Sequence, residues 1–317
     1  MNTMRVLAAA ALAGLLATQA AAQTVSIVTT PAGSYTNSVG AAVAKTIFDK
    51  AKVRVVVRPQ ATIGFDEVDS ASAEFNVSNS FDSAFFATGT AEYEGRGPKP
   101  DLRLVGALLP FRVAMHVRAD SAIRTMADLK GKRVSSGFLA QKTVGRIIEA
   151  HLANAGLRYD DVIKIPAPNI ASSTQDFTGG KVDAVYLALG SSVGKQAAAT
   201  VGGLRVLELN SAPDAVKALQ SLLPGAYLMR VDPEPALDGV TQPVNLVAFD
   251  MVLNTSARVP DDVIYKVTKA IYEGQSELAA IFAPFKLFAP QNMTRSLPDV
   301  PLHPGAVKFY REVGLAK

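Results

Sequence analysis

The chain has 317 residues, of which 49% are hydrophobic and 19% are charged, with a formal net charge of +4 and no cysteine. The lack of cysteine excludes disulfides, thiolate catalysis and cysteine-ligated metal sites. The small positive excess is not concentrated in a basic block, which argues against nucleic acid as a partner. The length is sufficient for two domains of about 100–200 residues each.

The first 22 residues have the pattern of a secretory signal peptide. Arg5 supplies the positive charge, residues 6–16 form the apolar stretch, and a run of small residues ends at Ala22. The apolar stretch is shorter than the roughly 20 residues of a transmembrane helix, and no cysteine follows it for a lipid anchor. We therefore expect cleavage after Ala22 and a periplasmic mature protein without a membrane anchor.

The rest of the chain alternates short β-rich runs with helical patterns, which is typical of parallel βαβ units. Strands are predicted at residues 25–29, 53–58, 83–86, 103–108, 132–135, 162–165, 184–187 and 205–209. Apolar residues at helical spacing predict three helices around the stripes Val39, Val43 and Ile47; Val144, Ile147, Ile148 and Leu152; and Ile264, Val267 and Ile271. A short last helix is predicted between Pro304 and Gly314, with His303 as its cap.

Two β-rich runs, residues 113–118 and 244–254, lie on either side of a block that is itself α/β. A chain that enters a second lobe through the first run and returns through the other forms two α/β lobes with a cleft between them. The sequence thus predicts lobe 1 from residues 23–118 and 244–317, and lobe 2 from residues 119–243.

Two polar loops stand where a predicted strand is followed by a helix. Unpaired N–H groups and the helix dipole attract anions at such a position. The candidate ligand residues are Gly33, Ser34, Tyr35 and Thr36 in the first loop, and Ser136, Gln141, Lys142 and Thr143 in the second. The alternatives are an ordinary helix cap in the first loop and a surface loop with a solvated lysine in the second.

Three further residues are candidates. Asn79 lies in a polar stretch, residues 75–80, interpreted as preceding the third strand. Tyr186 ends a strand, where ligands approach an open α/β sheet. Arg112 stands between two apolar runs and would clamp a carboxylate if it faces the cleft, although most arginines are simply solvated.

The sequence gives little support to an enzyme. The histidines at positions 116, 151 and 303 are isolated and have no metal-ligand spacing. There is no G-x-x-x-x-G-K-[ST] phosphate-binding loop. We therefore expect neither catalytic residues, nor a metal, nor a cofactor.

Several segments occur in an order that spans almost all of the predicted mature chain. They are G-S-Y at 33–35, A-D-L-K-G-K-R-V at 127–134, G-K-V-D-A at 180–184, V-P-D-D-V-I-Y-K-V-T-K-A at 259–270 and P-L-H-P-G-A-V-K-F-Y at 301–310. Together they resemble the TAXI family, the extracytoplasmic solute-binding subunits of TRAP transporters. The second segment is shared by many periplasmic binding proteins, whereas Y-K-V-T-K-A and L-H-P-G-A-V-K-F-Y are more specific.

The resemblance implies a type II periplasmic-binding fold and delivery of the ligand to a permease driven by an ion gradient. It also implies organic acids or amino acids, such as glutamate, as ligands, with the carboxylate held by the two polar loops. The chain departs from the family at two places, in the second polar loop and after the second predicted strand. A typical Gly-Ser-Gly-Thr turn is replaced by residues 140–143, where only Thr143 matches, and a glycine pair is replaced by residues 61–64. Side-chain donors such as Thr62 are expected to replace close backbone approach.

The principal hypothesis is a periplasmic solute-binding protein for a small carboxylate, with a TRAP membrane permease as its partner. Arg112 and Lys142 are the two candidates for the charge that binds the carboxylate. The alternative is a periplasmic subunit that presents a ligand to a signalling receptor, since fold and cleft would be the same.

Overall fold

The computed structural model describes residues 24–139, 141–295, 297 and 299–316. The predicted signal peptide, residues 1–22, lies outside the described residues. The strands of this part of the chain are β1 (Thr24–Thr29), β2 (Arg54–Pro59), β3 (Phe75–Asn79), β4 (Leu102–Arg118), β5 (Arg133–Gly137), β6 (Ile163–Ala167), β7 (Val185–Ala188), β8 (Leu204–Val206), β9 (Tyr227–Val231) and β10 (Val244–Ser256).

Helices alternate with these strands over most of the chain. They are α1 (Tyr35–Ala51), α2 (Phe65–Asp69), α3 (Ser80–Thr88), α4 (Lys142–Asn154), α5 (Ile170–Thr178), α6 (Ser192–Val201), α7 (Pro213–Leu222), α8 (Asp261–Tyr272), α9 (Gln275–Ile281) and α10 (Pro304–Glu312). The three predicted apolar stripes are buried in α1, α4 and α8, as their spacing indicates. Among the described residues, no helix combines the length and the apolar character that a membrane crossing needs.

The main sheet joins both halves of the molecule. Its central order is β2-β1-β3-β10-β4-β7, with β9 paired to β10 and β8 paired to β4. β1 is parallel to β2 and β3, whereas β10 is antiparallel to β3 and β4. β5 and β6 form a separate parallel pair.

The two long strands cross from one half to the other. The end of β10 pairs with β3 on one side and with the beginning of β4 on the other, while the opposite ends of the two long strands pair with β7, β8 and β9. The chain therefore forms two α/β lobes joined by two strands, which confirms the predicted architecture. The exact lobe boundaries at residues 118 and 244 stay a prediction.

Three strand predictions differ from the structure. Residues 103–108 and 113–118 belong to one strand, β4, which continues through Pro110 next to a bulged register with β10. Residues 83–86, predicted as a strand, lie in α3, and the stretch interpreted as preceding that strand is itself β3. Phenylalanine is common in strands, so its abundance at 81–86 misled the prediction.

The C-terminal motif is explained by packing. The His303 ring nitrogen Nδ1 accepts a hydrogen bond from the Gly305 N–H at 3.1 Å, and Pro304 is the first residue of α10. A Cβ at Gly305 would lie 2.3 Å from the Asp261 carbonyl oxygen, so only glycine fits there. The Tyr310 hydroxyl donates to the Val105 carbonyl at 2.7 Å and ties α10 to the sheet.

Candidate functional site

A cavity of about 380 Å³ lies between the two lobes. The residues that line one side come from the part of the chain between Thr30 and Phe111, and those that line the other side come from the part between Leu139 and Tyr186. Nine of the twelve predicted ligand residues line this cavity: Ser34, Tyr35, Thr36, Thr62, Asn79, Gln141, Lys142, Thr143 and Tyr186. Its volume is in the range of small-molecule sites.

The N-terminus of α1 forms one wall. Gly33 adopts a φ of +81°, a left-handed conformation that glycine accepts without strain, and Ser34 then caps the helix. The Ser34 hydroxyl accepts from the Asn37 N–H at 3.2 Å and shares a 2.7 Å hydrogen bond with the Thr30 hydroxyl. Thr36 also contacts Thr30, so three hydroxyls line the cavity at the positive end of α1.

The N-terminus of α4 forms the opposite wall. The Gln141 side-chain oxygen accepts from the Ile170 N–H at 2.9 Å, which fixes the loop before the helix. Lys142 is exposed at the rim, whereas Thr143 is only 8% exposed. The first turns of two long helices therefore meet at one cavity, and each favours negative charge.

Asp82 is a residue of the cavity that the sequence reasoning missed. Its carboxyl group is completely buried, accepts from the Thr143 hydroxyl at 2.9 Å and accepts from the Asn79 amide at 3.3 Å. Burial raises the pKa of Asp82 to about 7, against the opposing effect of the Thr143 hydrogen bond and with a further rise from the nearby charge of Glu92. The one available signal was a lone carboxylate in the otherwise apolar and small-residue sequence of α3.

A second polar contact joins the lobes beside Asp82. The Arg146 guanidinium donates to Glu92 at 2.6 Å and lies 5.1 Å from the centre of the Phe85 ring. With the Asp82–Thr143 hydrogen bond, it connects α3 and the following turn of one lobe to α4 of the other. The lobes are therefore in direct contact at this edge of the cleft.

Aromatic rings form the apolar part of the cavity. The Tyr35 ring lies 4.4 Å from Phe111 and 5.1 Å from Phe282, measured between ring centres. Tyr93 and Tyr186 also line the cavity. Burial raises the pKa of the Tyr35 and Tyr186 hydroxyls, so both stay neutral hydrogen-bonding groups at ordinary pH.

Three predicted residues do not line this cavity. Gly33 lines a neighbouring cavity of about 310 Å³ on the other side of Tyr35. Ser136 lies in β5, opposite Pro166 of β6. Arg112 is partly buried in β4, where burial lowers its pKa and the nearby Tyr35 and Glu234 raise it. The predicted role of all three in ligand binding stays a prediction.

A larger groove of about 1090 Å³ lies in the second lobe, between the end of α4 and the loop before α7. It is open, lined by loops and helix ends, and contains none of the predicted residues. Among the residues that the structure describes, no group of three or more metal-ligating side chains could hold an ion.

Comparison with known proteins identifies the family and the fold. The sequence profile of the NMT1-like family matches residues 27–314. A structure described as a periplasmic transporter is 14% identical, with a TM-score of 0.58 over 93% of this chain and 94% of that chain.

Two other solved structures are similar over most of their length. The periplasmic binding protein BugD is 13% identical, with a TM-score of 0.58 over 93% of this chain and 99% of its own. A TctC solute binding protein from Polaromonas is 16% identical, with a TM-score of 0.52 over 85% and 91%. The predicted two-lobed type II fold of periplasmic binding proteins is therefore confirmed.

Proposed function

Because the chain belongs to the NMT1-like family and has the fold of periplasmic binding proteins, we propose that it is a periplasmic solute-binding protein. Its ligand is a small organic anion, a carboxylate or an amino acid, held in the cavity between the lobes. The observation that carries this proposal is the meeting of two helix N-termini, α1 and α4, at one cavity of ligand size.

The contacts of the ligand follow from this arrangement. The Ser34 and Thr36 hydroxyls and the N–H groups in the first turns of α1 and α4 supply donors for a carboxylate, and Lys142 supplies a positive charge at the rim. Tyr35 and Tyr186 cover the apolar part of the ligand. Arg112 remains a second candidate for the charge, because it acts electrostatically on Tyr35.

The partner is the membrane permease of a TRAP transporter, and the chain is a divergent TAXI subunit. The sequence segments at 259–270 and 301–310 support the assignment to the TAXI family, because they resemble that family most specifically. Ligand binding shifts the open form toward the closed form, which the permease recognises. Uptake should then stop when an ionophore collapses the ion gradient and should continue when ATP is depleted.

The binding test compares two lysine variants by calorimetry against a panel of organic acids and amino acids. Lys142→Ala should weaken binding of the ligand by about 10- to 150-fold, because one charge-assisted contact contributes about 1.5–3 kcal/mol. Lys164→Ala, at an exposed position of β6 that does not line the cavity, is the matched control and should leave affinity unchanged. If no member of the panel binds the wild-type protein, the proposed function is wrong.

A further inference from the structure

Some hydrogen-bond acceptors around the cavity receive no hydrogen bond from the protein. Asn79 Oδ1 and Glu92 Oε2 are buried without a hydrogen-bond partner in the described structure, and both residues line the cavity. The completely buried carboxylate of Asp82 lies with them, since the Asn79 amide donates to it at 3.3 Å. Buried acceptors without partners are costly, so this wall is suited to a ligand that brings N–H donors.

The charges around the cavity lead to the same conclusion. The Asp66 carboxylate pairs with Arg96, and Glu92 pairs with Arg146. Among the cavity-lining residues that the structure describes, this leaves Asp82 as an unpaired carboxylate inside and Lys142 as an unpaired ammonium at the rim. A ligand with one negative and one positive group matches this pattern, whereas a simple carboxylate leaves Asp82 without a counter-charge.

We propose that Asp82, with the free oxygens of Asn79 and Glu92, binds a protonated amino group, so that the cleft selects zwitterionic amino acids over the corresponding acids. An ammonium group has three N–H donors, which matches these three acceptor groups. The ligand carboxylate then lies toward the helix N-termini and Lys142. This inference rests on the proposed function and narrows it to one class of ligand.

The test uses matched pairs of probes with the mature wild-type protein. Each amino acid is compared with the acid that lacks only the amine: glutamate with glutarate, leucine with 4-methylpentanoate, and phenylalanine with 3-phenylpropanoate. We expect at least one amino acid to bind and its partner acid to bind about 100-fold more weakly, because the acid leaves buried acceptors unpaired.

Asp82→Asn gives the second measurement, with circular dichroism to show that it is folded. It should weaken amino-acid binding at least tenfold without weakening the partner acid. Asp160→Asn, at an exposed carboxylate that pairs with Lys164 and does not line the cavity, is the matched control and should change affinity less than threefold.

The possible failures are distinguishable. Equal binding of an amino acid and its partner acid by the wild-type protein overturns the role of Asp82 but leaves the proposed function standing. Lack of binding by every acid and amino acid overturns both. If Asp82→Asn does not fold, the comparison of each amino acid with its partner acid on the wild-type protein still shows whether the cleft selects amino acids.

Discussion

Asp82 makes the stability of the ligand-free protein depend on pH. Its pKa is about 7 in the folded protein and about 4 in an unfolded chain, so folding favours the protonated carboxyl group. This contribution is fully present below pH 4 and is lost as the pH rises through 7. Asp82→Asn should therefore raise the free energy of unfolding by roughly 1–4 kcal/mol at pH 8.

Urea unfolding of variant and wild type at pH 8 and pH 5 tests this prediction. The advantage of the variant should shrink by a few kcal/mol at pH 5, where the wild-type carboxyl group is protonated. Comparison at the same pH cancels the effect of His116 and His151, whose burial lowers their pKa to about 4. Asp214→Asn, at an exposed position, is the control, and an equal effect at both pH values would contradict the argument.

Gly305 is required by contact rather than by backbone conformation. Gly305→Ala should lower the free energy of unfolding by about 1–3 kcal/mol, because the new Cβ would overlap the Asp261 carbonyl oxygen. Gly145→Ala is the matched control, since its Cβ meets nothing closer than 3.9 Å within α4. That variant should gain about 0.5–1 kcal/mol. Chemical denaturation measures both, and equal effects would show that the close contact does not matter.

Two polar contacts join α4 to α3 and its following turn, and we expect them to favour a closed cleft. The double variant Thr143→Val and Arg146→Met removes these two polar contacts. Asp82 then lacks the hydroxyl donor of Thr143, and Glu92 lacks the guanidinium donor of Arg146. We expect the closed form to lose about 2 kcal/mol relative to an open form in which both carboxylates are hydrated.

Small-angle X-ray scattering measures this shift as a larger radius of gyration of the ligand-free protein. Lys164→Met, which removes a surface ion pair with Asp160 inside the second lobe, is the control and should leave the radius unchanged. An unchanged radius in the double variant would show that other contacts hold the lobes together.

The periodicity of apolar residues predicted most helices and strands, because the spacing of these residues within one segment indicates which face of it is buried. The stripe of Val39, Val43 and Ile47 faces the core of α1 as its spacing requires. The prediction failed at residues 75–88, where β3 carries asparagine and serine and α3 carries phenylalanine, the reverse of their ordinary preferences. Packing in the folded molecule overrides those preferences.

The residues of the candidate site could likewise be predicted only in part. Ser34 and Thr143 could be identified because each stands between a predicted strand and a helix. Asp82 could not, since its hydrogen-bond partner Thr143 is 61 residues away and in the other lobe. Nor could the sequence show that Arg112 is absent from the residues lining the cavity, because one residue of register decides the face of a strand.

At the scale of the whole molecule, two long strands set the geometry of binding. β4 and β10 run side by side through both lobes, so we expect bending between the lobes to occur where these two strands pass from one lobe to the other. Closure brings the N-termini of α1 and α4 to the same cavity, and the water expelled there strengthens each polar contact. The proposed function therefore predicts that the groups which bind the ligand are assembled only in the closed form.

Native and denaturing mass spectrometry of the protein, purified without refolding, would identify directly what the cleft binds. We expect one small molecule with both a carboxylate and an amino group to be released on denaturation and to raise the melting temperature when it is added back. A released ligand without a carboxylate would contradict the binding of an anion at the helix N-termini. An empty protein that responds to no acid or amino acid would contradict the assignment of the cleft as a binding site.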